Sequence, residues 1–226
     1  MFIKLHARLK WRYVIASMKA RLLAGLLFLI EKIYLLLSTL LSFDIILLYL
    51  PKRGIHFGMR YTEANIVFRE VPDETTLAIN ISGCPVRCPS CHSKWLWEDV
   101  GILLDEDTLL RLIEANKGIT CVSLMGGDAE PDRVAVLLMA VRRKYGSRIR
   151  TCWYSGRDME TALRYVGPFA LDYLKVGPYI DECGPLDNPN TNQRMYRIVS
   201  KVGTFGTMDT CYEDITYKFW PKGNED

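Results

Sequence analysis

Three cysteines, Cys84, Cys88 and Cys91, stand within eight residues in the run Ser82-Gly83-Cys84-Pro85-Val86-Arg87-Cys88-Pro89-Ser90-Cys91-His92. The spacing is C-x3-C-x2-C. The run directly follows a segment in which Leu77, Ile79 and Ile81 alternate with Ala78, Asn80 and Ser82, the period of a β-strand. Any fold of this chain must therefore carry three thiols in one loop at a strand end. The chain has seven cysteines, an odd number, and the other four, Cys121, Cys152, Cys183 and Cys211, are scattered. That is not the framework of a disulfide-stapled secreted domain. Soft thiolate ligands suit an iron–sulfur cluster or zinc. Structural zinc takes four protein ligands, no fourth cysteine lies nearby, and His92 is adjacent to Cys91 and poorly placed for the same ion. Three ligands on a four-iron cluster leave one iron open to substrate.

Beyond the cysteine run, helix and strand patterns alternate. Asp105 to Lys117 reads as a helix with acids first and Gly118 as its stop. Ile119 to Met125 reads as a buried strand. Pro131 to Tyr145 reads as a helix with Pro131 and Asp132 at its start and Arg142, Arg143 and Lys144 at its end, an order that complements the helix dipole. Ile149 to Tyr154 and Leu171 to Val176 read as strands, separated by a helix over Asp158 to Val166. Earlier, Ala64 to Val71 reads as a strand before a Pro72-Asp73-Glu74 turn. Met195 to Ser200 and Ile215 to Phe219 read as late strands. Alternation of this kind predicts an α/β fold with helices packed on a parallel sheet. A full eight-fold barrel needs about 250 residues, so the expectation is an incomplete, partial βα barrel, with the chemistry at the carboxyl ends of its strands.

The first 58 residues differ from the rest. They hold nine Lys/Arg against two Asp/Glu, whereas residues 59–226 hold 20 against 24. The net charge of +3 is thus an average of a basic segment and a mildly acidic one, and the acidic balance of the larger piece argues against a nucleic-acid-binding domain. From Leu22 to Leu50 the only charged residues are Glu31, Lys32 and Asp44. Residues 22–43 are long enough to cross a bilayer, although the central Glu31–Lys32 pair is costly there. Two readings stand side by side: an anchor on the cytoplasmic face of the inner membrane, or an over-extended start ahead of a domain beginning at Met59. The organisation expected is a basic, apolar segment over 1–58 and a working domain over 59–226.

With these residues in view, residues 59–226 resemble the radical S-adenosylmethionine (SAM) superfamily, and within it the activating proteins of anaerobic ribonucleoside-triphosphate reductase. Leu124-Met125-Gly126-Gly127-Asp128 looks like the family's glycine-glycine-acid motif, which holds the amino group of SAM. Trp153-Tyr154-Ser155-Gly156-Arg157 looks like its Ser-Gly turn near SAM. Leu174-Lys175-Val176-Gly177-Pro178-Tyr179 and Asn192-Gln193-Arg194 resemble two further signatures of the same proteins. Many radical SAM loops carry an aromatic residue before the third cysteine, and here Ser90 takes that place, as a small residue often does in the reductase activators.

The resemblance implies a cytoplasmic enzyme with a [4Fe-4S] cluster on Cys84, Cys88 and Cys91. SAM would be held by Gly126, Gly127, Asp128, Ser155 and Lys175. The anaerobic reductase would be the protein substrate, and a donor such as flavodoxin the source of electrons. The cluster and the SAM-derived radical would carry the chemistry, with no side-chain acid or base. An activator of pyruvate formate-lyase, a 7-carboxy-7-deazaguanine synthase or a non-catalytic zinc-loop protein remain alternatives. Trp95 and Trp97 are candidates for shielding the cluster or touching a partner. Cys121 and Cys152 are expected to be buried and inert, Cys183 and Cys211 to lie in loops, and Arg142, Arg143 and Lys144 to form a solvated helix end.

Overall fold

The computed structural model describes residues 58–202 and 208–221. The readings of the segment before Gly58 lie outside that range. Eight strands form one open sheet: β1 (Arg60–Val67), β2 (Thr76–Ile81), β3 (Ile102–Leu103), β4 (Cys121–Met125), β5 (Arg150–Tyr154), β6 (Tyr173–Val176), β7 (Arg194–Val202) and β8 (Met208–Asp214). Their order across the sheet is β3-β1-β2-β4-β5-β6-β7-β8. The four central strands, β2, β4, β5 and β6, are parallel. Both flanks are antiparallel.

The α/β class and the parallel centre agree with the sequence reading, and the sheet does not close into a barrel. Alternation of strands and helices holds only across the centre. The β1–β2 connection is only the short stretch 68–75, which includes a turn in which Glu74 N–H donates to the Val71 carbonyl at 3.2 Å. A connection that short permits only an antiparallel neighbour. β1 begins and ends earlier than the apolar run suggested. Ile215 to Phe219 is not a strand: Thr216–Phe219 forms a 3-10 turn, and the strand lies just before it as β8. There the Thr216 hydroxyl donates to Asp214 Oδ1 at 2.5 Å and the Met195 N–H donates to Thr216 Oγ1 at 2.9 Å. These side-chain bonds compete with a ladder and turn the chain.

Three helices link the central strands: α1 (Glu106–Ala115), α2 (Pro131–Tyr145) and α3 (Met159–Val166). Asp105 and Asp158 cap α1 and α3, each carboxylate accepting the N–H three residues on, at 2.7 and 2.8 Å. The helices bury Leu109, Ile113, Val134, Leu137, Val141, Ala162 and Val166 against one face of the sheet, where Leu77, Ile79, Val122, Leu124, Trp153 and Leu174 are also buried. Full burial of such a side chain stabilises by about 1.5–3 kcal/mol. Because strand side chains alternate, the other face carries the intervening residues, including Cys121, Cys152, Tyr154, Tyr173 and Met195, packed with Val71, Ile215 and Phe219. Among the described residues no helix is long and apolar enough to cross a membrane.

Candidate metal centre

The cysteine loop leaves the carboxyl end of β2 and is folded back on its own base. Gly83 and Cys84 N–H groups donate to the carbonyls of Glu98 and Leu96 at 3.0 and 2.9 Å, and Cys91 N–H donates to the Cys88 carbonyl at 3.0 Å. The Ser82 hydroxyl ties both ends together, donating to the Val100 carbonyl at 2.6 Å. Cys84, Cys88 and Cys91 are free, half-buried thiols, and all three line a cleft of about 590 Å³. Two sulfurs already accept backbone donors: Cys91 Sγ from Ser93 N–H and Cys88 Sγ from Tyr179 N–H, both at 3.3 Å. These two contacts fix the sulfurs against the backbone of the loop and of the segment after β6.

The donor set, three thiols from one loop, is chemically suited to an iron–sulfur cluster. Among the described residues no three His, Cys, Asp or Glu side chains converge closely enough to hold one metal ion. A four-iron cluster binds each thiolate through a separate iron, so it requires no such convergence. His92 is exposed and pairs instead with the Tyr179 ring, centroids 5.2 Å apart.

Met125, Gly126 and Asp128 bring the end of β4 into the same cleft. Tyr154, Ser155 and Gly156 bring the end of β5, and Lys175 and Gly177 that of β6. Of the residues that the sequence assigned to SAM, four line the cleft: Gly126, Asp128, Ser155 and Lys175. Gly127 is buried in the turn behind it. Its φ is +93°, and a Cβ there would stand 2.7 Å from Val134 Cγ2, so only glycine suits the position. The Gly126 carbonyl accepts the Trp153 indole N–H at 2.8 Å.

Asp128 is 2% exposed and fully engaged. It accepts the Ser155 hydroxyl at 2.6 Å and the Gly156 N–H at 2.9 Å, and pairs with Arg157 at 3.4 Å. Arg157 also donates to the Asp128 carbonyl at 2.6 Å, and its own carbonyl accepts the Gly177 N–H at 2.8 Å. This arginine fastens the ends of three strands together. Its position after the Ser-Gly turn carried no sequence signal for that role, which depends on strands brought together by the fold.

Lys175 reaches the cleft from β6 and lies over the Tyr154 ring at 6.0 Å, donating to the Gly177 carbonyl at 2.8 Å. Burial pushes its ammonium down to about 8, opposed by the charges of Cys88, Asp128 and Cys91. Gln193, from the Asn-Gln-Arg stretch, also lines the cleft, and Asn192 Nδ2 donates to the Pro178 carbonyl at 2.9 Å. Trp95 is exposed, whereas Trp97 lines the cleft beneath Lys94 and Arg87, 5.7 and 6.0 Å from its ring.

The remaining expectations divide. Cys121 and Cys152 are buried on β4 and β5, and burial raises both thiols, Cys152 to about 12. Cys183 lies in a 3-10 turn. Cys211 is not in a loop but on β8, exposed. At the end of α2, Arg143 and Lys144 are exposed as expected and pair with Glu106 at 3.0 Å and with Glu114, whereas Arg142 is half-buried and pairs with Asp172 at 3.1 Å.

Three thiols in one loop, opening on a cleft at the carboxyl ends of parallel strands, define a protein built to carry an iron–sulfur cluster. Residues 75–179, somewhat less than half of the chain, match the family model described as the 4Fe-4S single cluster domain. A 4Fe-4S cluster-binding domain is therefore present. The matched stretch runs from β2 through the cysteine loop and the two turns to Tyr179. Comparison with curated proteins gave no match, and comparison with solved structures gave none.

Proposed function

We propose that the protein is a radical SAM activating enzyme that generates a glycyl radical on anaerobic ribonucleoside-triphosphate reductase. The observation that carries this reading is the meeting of three cluster-ligating thiols with Gly126, Asp128, Ser155 and Lys175 in a single cleft. Cys84, Cys88 and Cys91 would hold the cluster and leave one iron to SAM. A cluster held there would, once reduced, supply the one electron needed to split SAM into methionine and a 5′-deoxyadenosyl radical, and hydrogen transfer from the reductase glycine to that radical would give 5′-deoxyadenosine.

The chain's own residues orient and shield. Lys175 offers a partly desolvated cation to the SAM carboxylate. Asp128 has its oxygens filled by Ser155, Gly156 and Arg157. Its first task is thus to hold the ends of β4 and β5 together, and the carboxylate adds negative potential where the SAM ammonium would lie. Leu96 and Trp97 add apolar surface to the lining of the cleft.

The test is anaerobic reconstitution with iron and sulfide, reduction, and addition of SAM and the reductase. The expected products are 5′-deoxyadenosine and a glycyl radical seen by EPR. Formation of 5′-deoxyadenosine with no radical on the reductase would keep the superfamily and reject the partner. Stoichiometric zinc without iron–sulfur absorbance would reject both. Cys84→Ser should abolish the cluster absorbance and both products.

A further inference from the structure

The opposite end of the parallel strands carries a second pocket, of about 370 Å³, within the range of small-ligand sites. Three arginines line it: Arg142 from the last turn of α2, Arg150 from the start of β5 and Arg197 from β7. One carboxylate, Asp172, faces them, and it is already occupied. It pairs with Arg142 at 3.1 Å and Arg150 at 3.3 Å and accepts the Thr151 N–H at 2.9 Å. Arg197 is exposed and forms no ion pair among the described residues. Glu213 stands opposite it in the β7–β8 ladder without pairing. Among the residues that line the pocket, three arginines thus stand against one carboxylate, an excess of two positive charges, with Glu213 outside the lining. Beside them lie Pro168 and Phe169, and the Phe169 ring is 55% exposed.

The geometry points to a binding site for a phosphate monoester with an aromatic or apolar body. The dianion lies between Arg150 and Arg197, whose planar forks match phosphate oxygens, and the body rests on Phe169 and Pro168. A phosphate dianion matches the excess of two charges, whereas a monocarboxylate would leave half of it. Arg142 stays with Asp172 and keeps the floor of the pocket in place. None of these residues lines the cysteine cleft, so the site is independent of the reading of that cleft.

Calorimetric titration of the full-length, cluster-loaded protein with phenyl phosphate tests the proposal, with phenol and inorganic phosphate as comparisons. The expected result is saturable binding at one site that weakens as salt is raised. Arg197→Ala should weaken it by about tenfold or more, the loss of one charge-assisted contact, with iron content unchanged. Phe169→Ala should weaken phenyl phosphate and leave inorganic phosphate unaffected. No saturable binding, equal binding by Arg197→Ala, or equal binding of phenol overturns the proposal. Inorganic phosphate binding as tightly as phenyl phosphate overturns the role given to Phe169.

Discussion

At the residue scale, two side chains divide the work around the cysteine loop. Lys175 is a buried cation that donates to the Gly177 carbonyl in a cleft of thiols. Lys175→Met keeps most of the volume and removes the charge. It should leave iron content and cluster absorbance unchanged while weakening SAM about tenfold or more in equilibrium binding. Unchanged SAM affinity would make Lys175 a structural residue. Asp128, by contrast, is held by Ser155, Gly156 and Arg157. Asp128→Asn keeps the shape but turns one accepting oxygen into an NH2 donor, so the Ser155 hydroxyl and the Gly156 N–H can no longer both be accepted, and Arg157 loses its charged partner. Arg157 is 30% exposed at its side chain, and water will screen part of the loss. The expected cost is about 1–3 kcal/mol in urea unfolding.

At the element scale, the base of the cysteine loop depends on how closely β3 approaches β1. Gly101 has φ +104°, and a Cβ there would stand 2.2 Å from the Tyr61 carbonyl oxygen. Backbone cannot yield as a flexible side chain would. Gly101→Ala should therefore cost about 2 kcal/mol or more and loosen the Ser82–Val100 tie. The measurement is the rate of iron loss to a chelator, which should rise even at temperatures where the rest of the protein remains folded. The elements themselves were legible where local chemistry decided them. Pro131 to Tyr145 reads as a helix in the sequence and is one, because Pro131, the basic last turn and Gly146 all point the same way. The end of the chain was not legible. The run Ile215 to Phe219 has strand residues but turns on the Asp214 and Thr216 hydrogen bonds.

At the scale of the whole molecule, the sheet buries ionisable groups on the face away from the helices. Burial raises the thiols of Cys121 and Cys152 and the hydroxyls of Tyr154 and Tyr173. A group whose folded value is raised adds stability that is full below its unfolded value and is lost as pH rises through the folded one. For Cys152 that window runs from 9.0 to about 12. Urea unfolding should show stability falling above pH 9, by about 2 kcal/mol at pH 10.5 from Cys152 alone. A flat profile would mean that these groups are not protected. At pH 8 the native apoprotein should be alkylated at Cys84, Cys88 and Cys91 and spared at Cys121 and Cys152.

The amino-acid sequence by itself determined the thiol loop, the parallel strand–helix core and the small residues at the strand ends. Each of these is a local pattern of spacing, periodicity or turn chemistry. Only the tertiary structure decided the antiparallel flanks, the open sheet, the filling of Asp128 by Arg157, and the gathering of Arg142 and Arg150 around Asp172 with Arg197 in the same pocket. Those depend on which strands become neighbours, and strand pairing joins residues far apart in the chain that no local signal connects.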